Sequence, residues 1–162
     1  APWVSTAAEA RAAVSAMRYP PLGVRGIAKI QRSAGFGGGF EEYYLNAHNW
    51  LLTVTQIETP EAVDNCEEIA AVDGVDVLFV GPTDLSYNMG IRDQLDHPRF
   101  IAALEKVSAA AKKHGKAAGI LVHNPSLVAK CRDLGYTFVA LGSDGGSVRA
   151  GLLASLATLR GK

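Results

Sequence analysis

Two stretches of the sequence decide the fold: residues 51–58 read LLTVTQIE, and residues 75–84 read VDVLFVGPTD. Each begins with apolar and β-branched residues, a pattern typical of a buried strand. Each ends in an acidic residue, Glu58 or Asp84, at the point where the strand is predicted to end. Neighbouring parallel strands end at one edge of a sheet, so we expect the two carboxylates to lie in one pocket and to form a metal site.

The same alternation of strand and helix runs along the rest of the chain. An amphipathic helix follows each predicted strand, although a long loop separates the second strand from its helix at Pro98. Helices are also predicted at residues 6–17 and 41–49, with loops rich in proline or glycine at 18–26 and 35–39. The predicted strands cover residues 51–57, 75–80, 117–122 and 137–141.

Continuous apolar strands between amphipathic helices predict a parallel sheet covered by helices. An open doubly wound sheet and a (β/α)8 TIM barrel share this pattern. No Gly-x-Gly-x-x-Gly follows the first strand, and acidic residues end two consecutive strands, which favours the barrel. A complete barrel needs about 250 residues, whereas this chain has 162. We therefore expect a single domain over residues 1–162 that forms part of a barrel.

Composition narrows the class of protein. The chain is 48% hydrophobic and 20% charged with a formal net charge of zero, as expected for one soluble globular unit. Its basic residues are scattered, which argues against nucleic acid, and no apolar run reaches the roughly 20 residues of a membrane helix. Cys66 and Cys131 lack metal-ligand spacing, so we expect buried free thiols and a cytoplasmic protein.

Several motifs, in this order, resemble those of the HpcH/HpaI aldolase family: residues 18–26 (RYPPLGVRG), 56–59 (QIET), 81–86 (GPTDLS), 119–121 (GIL) and 138–144 (FVALGSD). The resemblance covers essentially the whole chain. It implies a (β/α)8 barrel that assembles as a homo-oligomer and a class II, divalent-metal-dependent pyruvate aldolase. Residues 1–4 would match the end of the fourth strand and the predicted strands would be the fifth to eighth, so we expect the first three strands to lie outside this sequence.

The resemblance also implies roles for individual residues. Glu58 and Asp84 would bind the divalent ion, with Mg²⁺ and Mn²⁺ as the main candidates and Co²⁺ as a third. Gln56 would hydrogen-bond the 2-oxo acid substrate, and backbone N–H groups near Thr83 and Asp84 would receive its carboxylate. Thr83 departs from the family, which commonly has a small residue there. The expected reaction cleaves a 4-hydroxy-2-oxo acid reversibly to pyruvate and an aldehyde through a pyruvate enolate.

The family's histidine base and its enolate-stabilising arginine lie before the part of the barrel that this chain matches. No catalytic residue is therefore assigned within the chain. We expect a complementary N-terminal segment to supply both groups, and we expect the 162-residue chain alone to be a poor enzyme.

Other interpretations remain open from the sequence. Glu58 alone is compatible with an acid in the first turn of a helix, favoured by the helix dipole, and Asp84 with an Asx turn. His123, just after the third strand, is an alternative acid or base, although a polar loop role is favoured. Residues 142–146 (GSDGG) resemble a phosphate-binding loop, but a helix cap is favoured. At the level of function, the alternatives are a non-catalytic barrel fragment that acts as an assembly or binding module, and a citrate-lyase-like carbon–carbon lyase.

Overall fold

The computed structural model describes residues 1–123 and 125–161, in which four parallel strands form one sheet in chain order. The strands are β1 (Val54–Ile57), β2 (Val77–Val80), β3 (Ala117–Val122) and β4 (Tyr136–Leu141). The α-helices are α1 (Ala7–Met17), α2 (Phe40–Trp50), α3 (Pro60–Asp64), α4 (Cys66–Ala70), α5 (Pro82–Asn88), α6 (Pro98–Lys113), α7 (Ser126–Asp133) and α8 (Asp144–Leu159), and a 3₁₀ helix covers Arg32–Gly37. The predicted parallel sheet and its alternation with helices are confirmed.

The first two strands begin later than predicted, at Val54 instead of residue 51 and at Val77 instead of residue 75. Hydrogen bonds made by the residues just before each strand explain the later starts. The Asp76 carboxylate accepts the Thr53 N–H at 2.7 Å, and the Thr53 carbonyl accepts the N–H groups of Asp76 and Val77 at 3.0 and 3.2 Å. These bonds hold the chain together ahead of β1 and β2, and regular parallel pairing starts with Val54 opposite Val77.

The long loop predicted after the second strand is wrong at its start, where Pro82–Asn88 forms helix α5. Pro82 occupies the first helical position, which its fixed φ suits. Leu85 and Ser86 are buried, and the Ser86 hydroxyl accepts the Asp93 N–H at 3.2 Å. A Gly-Pro pair also signals a turn, so the sequence pattern alone does not reveal this short helix.

The helix predicted to begin at Pro60 is divided into α3 and α4 at Asn65, whose side-chain amide donates to the Ser5 carbonyl at 2.9 Å. Thr59 caps α3, since its hydroxyl accepts the Ala62 N–H at 3.0 Å, and it shares a hydrogen bond of 2.9 Å with the Ser5 hydroxyl. These contacts fasten the N-terminal residues to the turn that follows β1.

Residues 1–4 run beside β1 and are hydrogen-bonded to it. The Gln56 N–H donates to the Ala1 carbonyl at 2.8 Å, and the Val4 N–H donates to the Gln56 carbonyl at 3.2 Å. Trp3, between these bonds, has a φ of 55°, in the left-handed region. The backbone bulges at Trp3, and this bulge brings the Trp3 amide to the end of β1.

The hydrophobic core lies between one face of the sheet and the helices, with α4 and α6 packed on the central strands. Free Cys66 and Cys131 are buried in it, as predicted. Burial raises the pKa of both thiols, that of Cys131 to about 11. Strand side chains that point into this core include Ile57, Leu78, Val80, Ile120 and Val122, all fully buried.

The opposite face of the sheet carries aromatic side chains and is open to solvent. The rings of Phe79 and Phe138 meet edge to face with centroids 6.0 Å apart. They fit because Gly119 lies on this face between them, where a Cβ atom would lie 2.7 Å from the Phe79 ring. Phe138 is 39% exposed, so an apolar face of the kind usually found in a protein interior is here in contact with solvent.

The final helix, α8, adds nothing to this core. Its apolar side chains, including Val148, Leu152 and Leu159, are exposed, and none of its residues is buried. Across residues 1–123 and 125–161, no helix is both long and apolar enough to span a membrane.

Candidate functional site

The sheet register brings Glu58 and Gly81 side by side. Ile57 pairs with Val80 at the ends of β1 and β2, and the Gly81 N–H donates to the Ile57 carbonyl at 3.3 Å. Glu58 therefore leaves the sheet beside the residue that begins the turn into α5. The two strand ends singled out in the sequence are adjacent in the structure.

The Glu58 carboxylate is held by a hydrogen bond to each oxygen. Oε2 accepts the Trp3 backbone N–H at 2.9 Å, and Oε1 accepts the Gln56 side-chain amide at 3.1 Å. Gln56 is two residues before Glu58, and side chains two apart on a strand lie on the same face. Glu58 is only 4% exposed, so this carboxylate is fixed in position and largely shielded from water.

Gly81 is required because the Glu58 side chain lies directly against it. A Cβ atom at position 81 would lie 2.5 Å from Glu58 Oε1 and 2.7 Å from Glu58 Cγ. The backbone of Gly81, with a φ of −90°, is open to any residue. Close approach of a neighbouring side chain therefore explains the glycine in the GPTD motif.

Helix α5 carries Asp84 in its first turn, three residues after Gly81. Thr83 and Asp84 are both exposed, and neither side chain is tied into the core. At the other end of the helix, the Asn88 side-chain amide donates to the Glu58 carbonyl at 3.0 Å. Glu58 and Asp84 thus belong to two segments that are attached to each other at both ends of α5.

The ends of β3 and β4 reach the same edge of the sheet. His123 follows β3 and is exposed. The loop after β4 is a helix cap, as favoured from the sequence: the Ser143 hydroxyl accepts the Gly146 N–H at 3.0 Å, and Asp144 accepts the Gly145 N–H at 2.7 Å. Among the described residues, no group of three or more His, Cys, Asp or Glu side chains is placed to hold a metal ion.

The RYPPLGVRG motif has a structural role in a second, smaller cluster. The Arg25 guanidinium lies 4.5 Å from the centre of the Tyr19 ring and donates to the Tyr43 hydroxyl at 3.2 Å. Tyr19, Tyr43 and Ala47 are buried together. Stacking of Arg25 on the Tyr19 ring therefore orders this part of the chain.

Two contacts of the site were not predicted. The Trp3 amide is a backbone group 55 positions away from Glu58, so no side-chain pattern announces it. Asn88 lies four residues after Asp84, so a predicted helix would have placed both on one face, but it would not have shown the bond from Asn88 to the Glu58 carbonyl.

Known aldolases resemble the chain over most of its length. A model of the HpcH/HpaI aldolase/citrate lyase family matches residues 1–150. Pyruvate aldolase of Rhizobium etli is 43% identical over 143 residues, which are 88% of this chain and 56% of that protein. The 5-keto-4-deoxy-D-glucarate aldolase of Klebsiella pneumoniae is 41% identical over 149 residues, 92% of this chain and 58% of that protein.

Solved structures agree with the sequence relatives. An HpcH/HpaI aldolase/citrate lyase family protein from Burkholderia cenocepacia J2315 superposes with a TM-score of 0.88 at 33% identity, covering 98% of this chain and 63% of that one. The chain therefore spans less than two thirds of the length of these relatives. On sequence and on fold, the chain belongs to the HpcH/HpaI aldolase/citrate lyase family.

Proposed function

We propose that this chain is part of a metal-dependent aldolase that cleaves a 4-hydroxy-2-oxo acid reversibly to pyruvate and an aldehyde. The observation that carries the proposal is the Glu58 carboxylate, which is buried and hydrogen-bonded on both oxygens beside the turn that leads to Asp84. The relatives at 41–43% identity are named as aldolases, which supports the same reaction class.

The donor set fits a divalent cation such as Mg²⁺, Mn²⁺ or Co²⁺. Carboxylate oxygens are the hard ligands that Mg²⁺ and Mn²⁺ prefer. Each Glu58 oxygen accepts one hydrogen bond from the protein and keeps a second lone pair, and Asp84 is exposed. A bound cation would supply positive charge for the negative charge that develops on the substrate's keto oxygen. Two protein ligands would leave room for substrate and water.

We assign substrate contacts to Gln56, Thr83 and Asp84. Gln56 lies next to the Glu58 carboxylate, where its amide would also reach a bound 2-oxo acid. The first hydrogen bond within α5 runs from the Leu85 N–H to the Gly81 carbonyl, so the N–H groups of Thr83 and Asp84 lie outside the helical ladder. They would receive the substrate carboxylate, which the positive end of the helix favours.

The rest of the active site would come from a complementary N-terminal segment. In this proposal, residues 1–4 end the fourth strand of a (β/α)8 barrel and β1 to β4 are its fifth to eighth strands. The pairing of residues 1–4 with β1 and the uncovered aromatic face of the sheet support this assignment. The segment would bring the histidine base and the enolate-stabilising arginine, within a cytoplasmic homo-oligomer.

Binding of Mn²⁺ to variants tests the proposal. Glu58→Gln and Asp84→Asn each remove one ligand charge while keeping the side-chain shape, and each should abolish saturable Mn²⁺ binding in calorimetry. Glu61→Gln is the matched control, because Glu61 is an exposed acid in the first turn of α3. Binding that is equal in all three variants and the parent would place the metal elsewhere.

A further inference from the structure

We propose that Asn88 is a positioning residue that fixes the face of α5 carrying Asp84 relative to Glu58. The inference rests on the proposed function, because it takes Glu58 and Asp84 as the two ligands of one cation. Asn88 would touch neither metal nor substrate. It acts through the hydrogen bond of its side-chain amide to the Glu58 carbonyl, at 3.0 Å.

Helical geometry couples the position of Asn88 to that of Asp84. Four residues turn an α-helix by about 400°, so Asp84 and Asn88 lie on nearly the same face of α5. The Glu58 carbonyl oxygen can only accept a hydrogen bond, and Asn88 supplies the donor. Any rotation of α5 that moved Asp84 away from the end of β1 would also carry Asn88 away from Glu58 and break this bond.

Helix α5 depends on contacts with the rest of the chain to hold its rotation. It is a helix of seven residues, shorter than one that is stable by itself. Leu85 and Ser86 anchor its buried side, and Gly81 lies against the Glu58 side chain at its start. Asn88 adds a hydrogen bond at the far end of α5, so both ends of the helix contact Glu58. The two proposed ligands are therefore connected through the protein itself, without the metal.

Mn²⁺ affinity of the protein, measured by calorimetry, tests the proposal. Asn88→Ala removes the donor, and Asn88→Leu removes it while keeping the size of the side chain. Both should weaken Mn²⁺ binding by about 2- to 10-fold, the range that one neutral hydrogen bond typically contributes. Tyr87→Phe is the matched control, because Tyr87 lies in the same helix and its hydroxyl bonds Asp93 and Arg92, outside the helix, and not Glu58. It should bind Mn²⁺ like the parent.

The outcomes separate this inference from the proposed function. If Glu58→Gln and Asp84→Asn abolish Mn²⁺ binding while both Asn88 variants bind like the parent, the positioning role is wrong and the metal site stands. If the Glu58 and Asp84 variants bind normally, the proposed metal site itself fails. Thermal unfolding without metal is the second readout. A lower melting temperature in the Asn88 variants with unchanged Mn²⁺ affinity would show that Asn88 only stabilises the fold, which overturns the proposal.

Discussion

Gly81→Ala should disable the site through a single added methyl group. The new Cβ would lie 2.5 Å from Glu58 Oε1, 2.7 Å from Cγ and 3.0 Å from Cδ. Favourable contacts begin at about 3.5 Å, so the Glu58 side chain or the start of α5 must move by about 1 Å. The hydrogen bonds from Trp3 and Gln56 fix the carboxylate in its present place, and movement breaks or stretches them.

The stability cost follows from the same geometry. Forcing a methyl group into a packed contact typically costs about 1–3 kcal/mol, and each kcal/mol lowers the melting temperature of a domain of this size by about 2–4 °C. The backbone of Gly81 is open to alanine, so no conformational strain adds to this figure. Mn²⁺ affinity should fall by about tenfold or more, because a ligand oxygen has moved by about half the length of a metal–oxygen bond.

Calorimetric Mn²⁺ titration and thermal unfolding measure the two effects. Gly151→Ala is the control, since a Cβ at position 151 meets nothing within 4 Å and lies inside helix α8. That variant should bind Mn²⁺ like the parent and gain up to about 1 kcal/mol of stability. Parent-like affinity and melting temperature in Gly81→Ala would refute the placement of the Glu58 side chain against the turn.

Three further predictions concern the substrate, a buried thiol and the activity of the chain. Gln56→Ala should weaken pyruvate binding more than Mn²⁺ binding, and an equal loss of both would contradict its substrate role. Burial raises the pKa of the Cys131 thiol from 9.0 to about 11, so the contribution of the neutral thiol to the free energy of unfolding is complete below pH 9 and is lost as the pH rises to 11. Labelling of the Cys131 thiol in the native protein should therefore stay slow up to pH 9. Fast labelling at pH 8 would disprove its burial. The 162-residue chain with added Mg²⁺ or Mn²⁺ should show little oxaloacetate decarboxylation or retro-aldol activity. Robust turnover would mean that the chain holds its own base, with His123 as the first residue to replace.

Elements with strong local signals were predictable from the sequence. The capping box of Thr6 and Glu9 begins α1, and the apolar period after Pro98 gives α6, which ends at Lys113. Strand β3 has the predicted bounds, 117–122. In each case the residues that form the element also carry the information that defines it.

The features that the sequence did not predict depend on contacts between distant segments, or on residues that suit more than one kind of local structure. Helix α5 begins with a Gly-Pro pair, which is equally suited to a turn. The start of β1 is set by the Asp76 carboxylate, 23 positions after the Thr53 amide that it binds. The apolar residues of α8 predicted a helix but not its exposure, because a sequence pattern shows that a helix has an apolar side and not what covers it.

The candidate site was predictable in part for the same reason. Parallel strand ends converge, so the adjacency of Glu58 and the turn that leads to Asp84 followed from strand order. The support around Glu58 did not follow, because the Trp3 amide and the Asn88 side chain reach it across the fold. Such supporting contacts decide how firmly a carboxylate is held, and only the structure reveals them.

Anomalous diffraction from crystals grown with Mn²⁺ locates the cation itself. If Glu58 and Asp84 bind one ion, a single strong anomalous peak lies at the ends of β1 and β2, within about 2.5 Å of a carboxylate oxygen of each residue. A peak bound by other residues, or none at this position in crystals saturated with Mn²⁺, would rule out this two-carboxylate site.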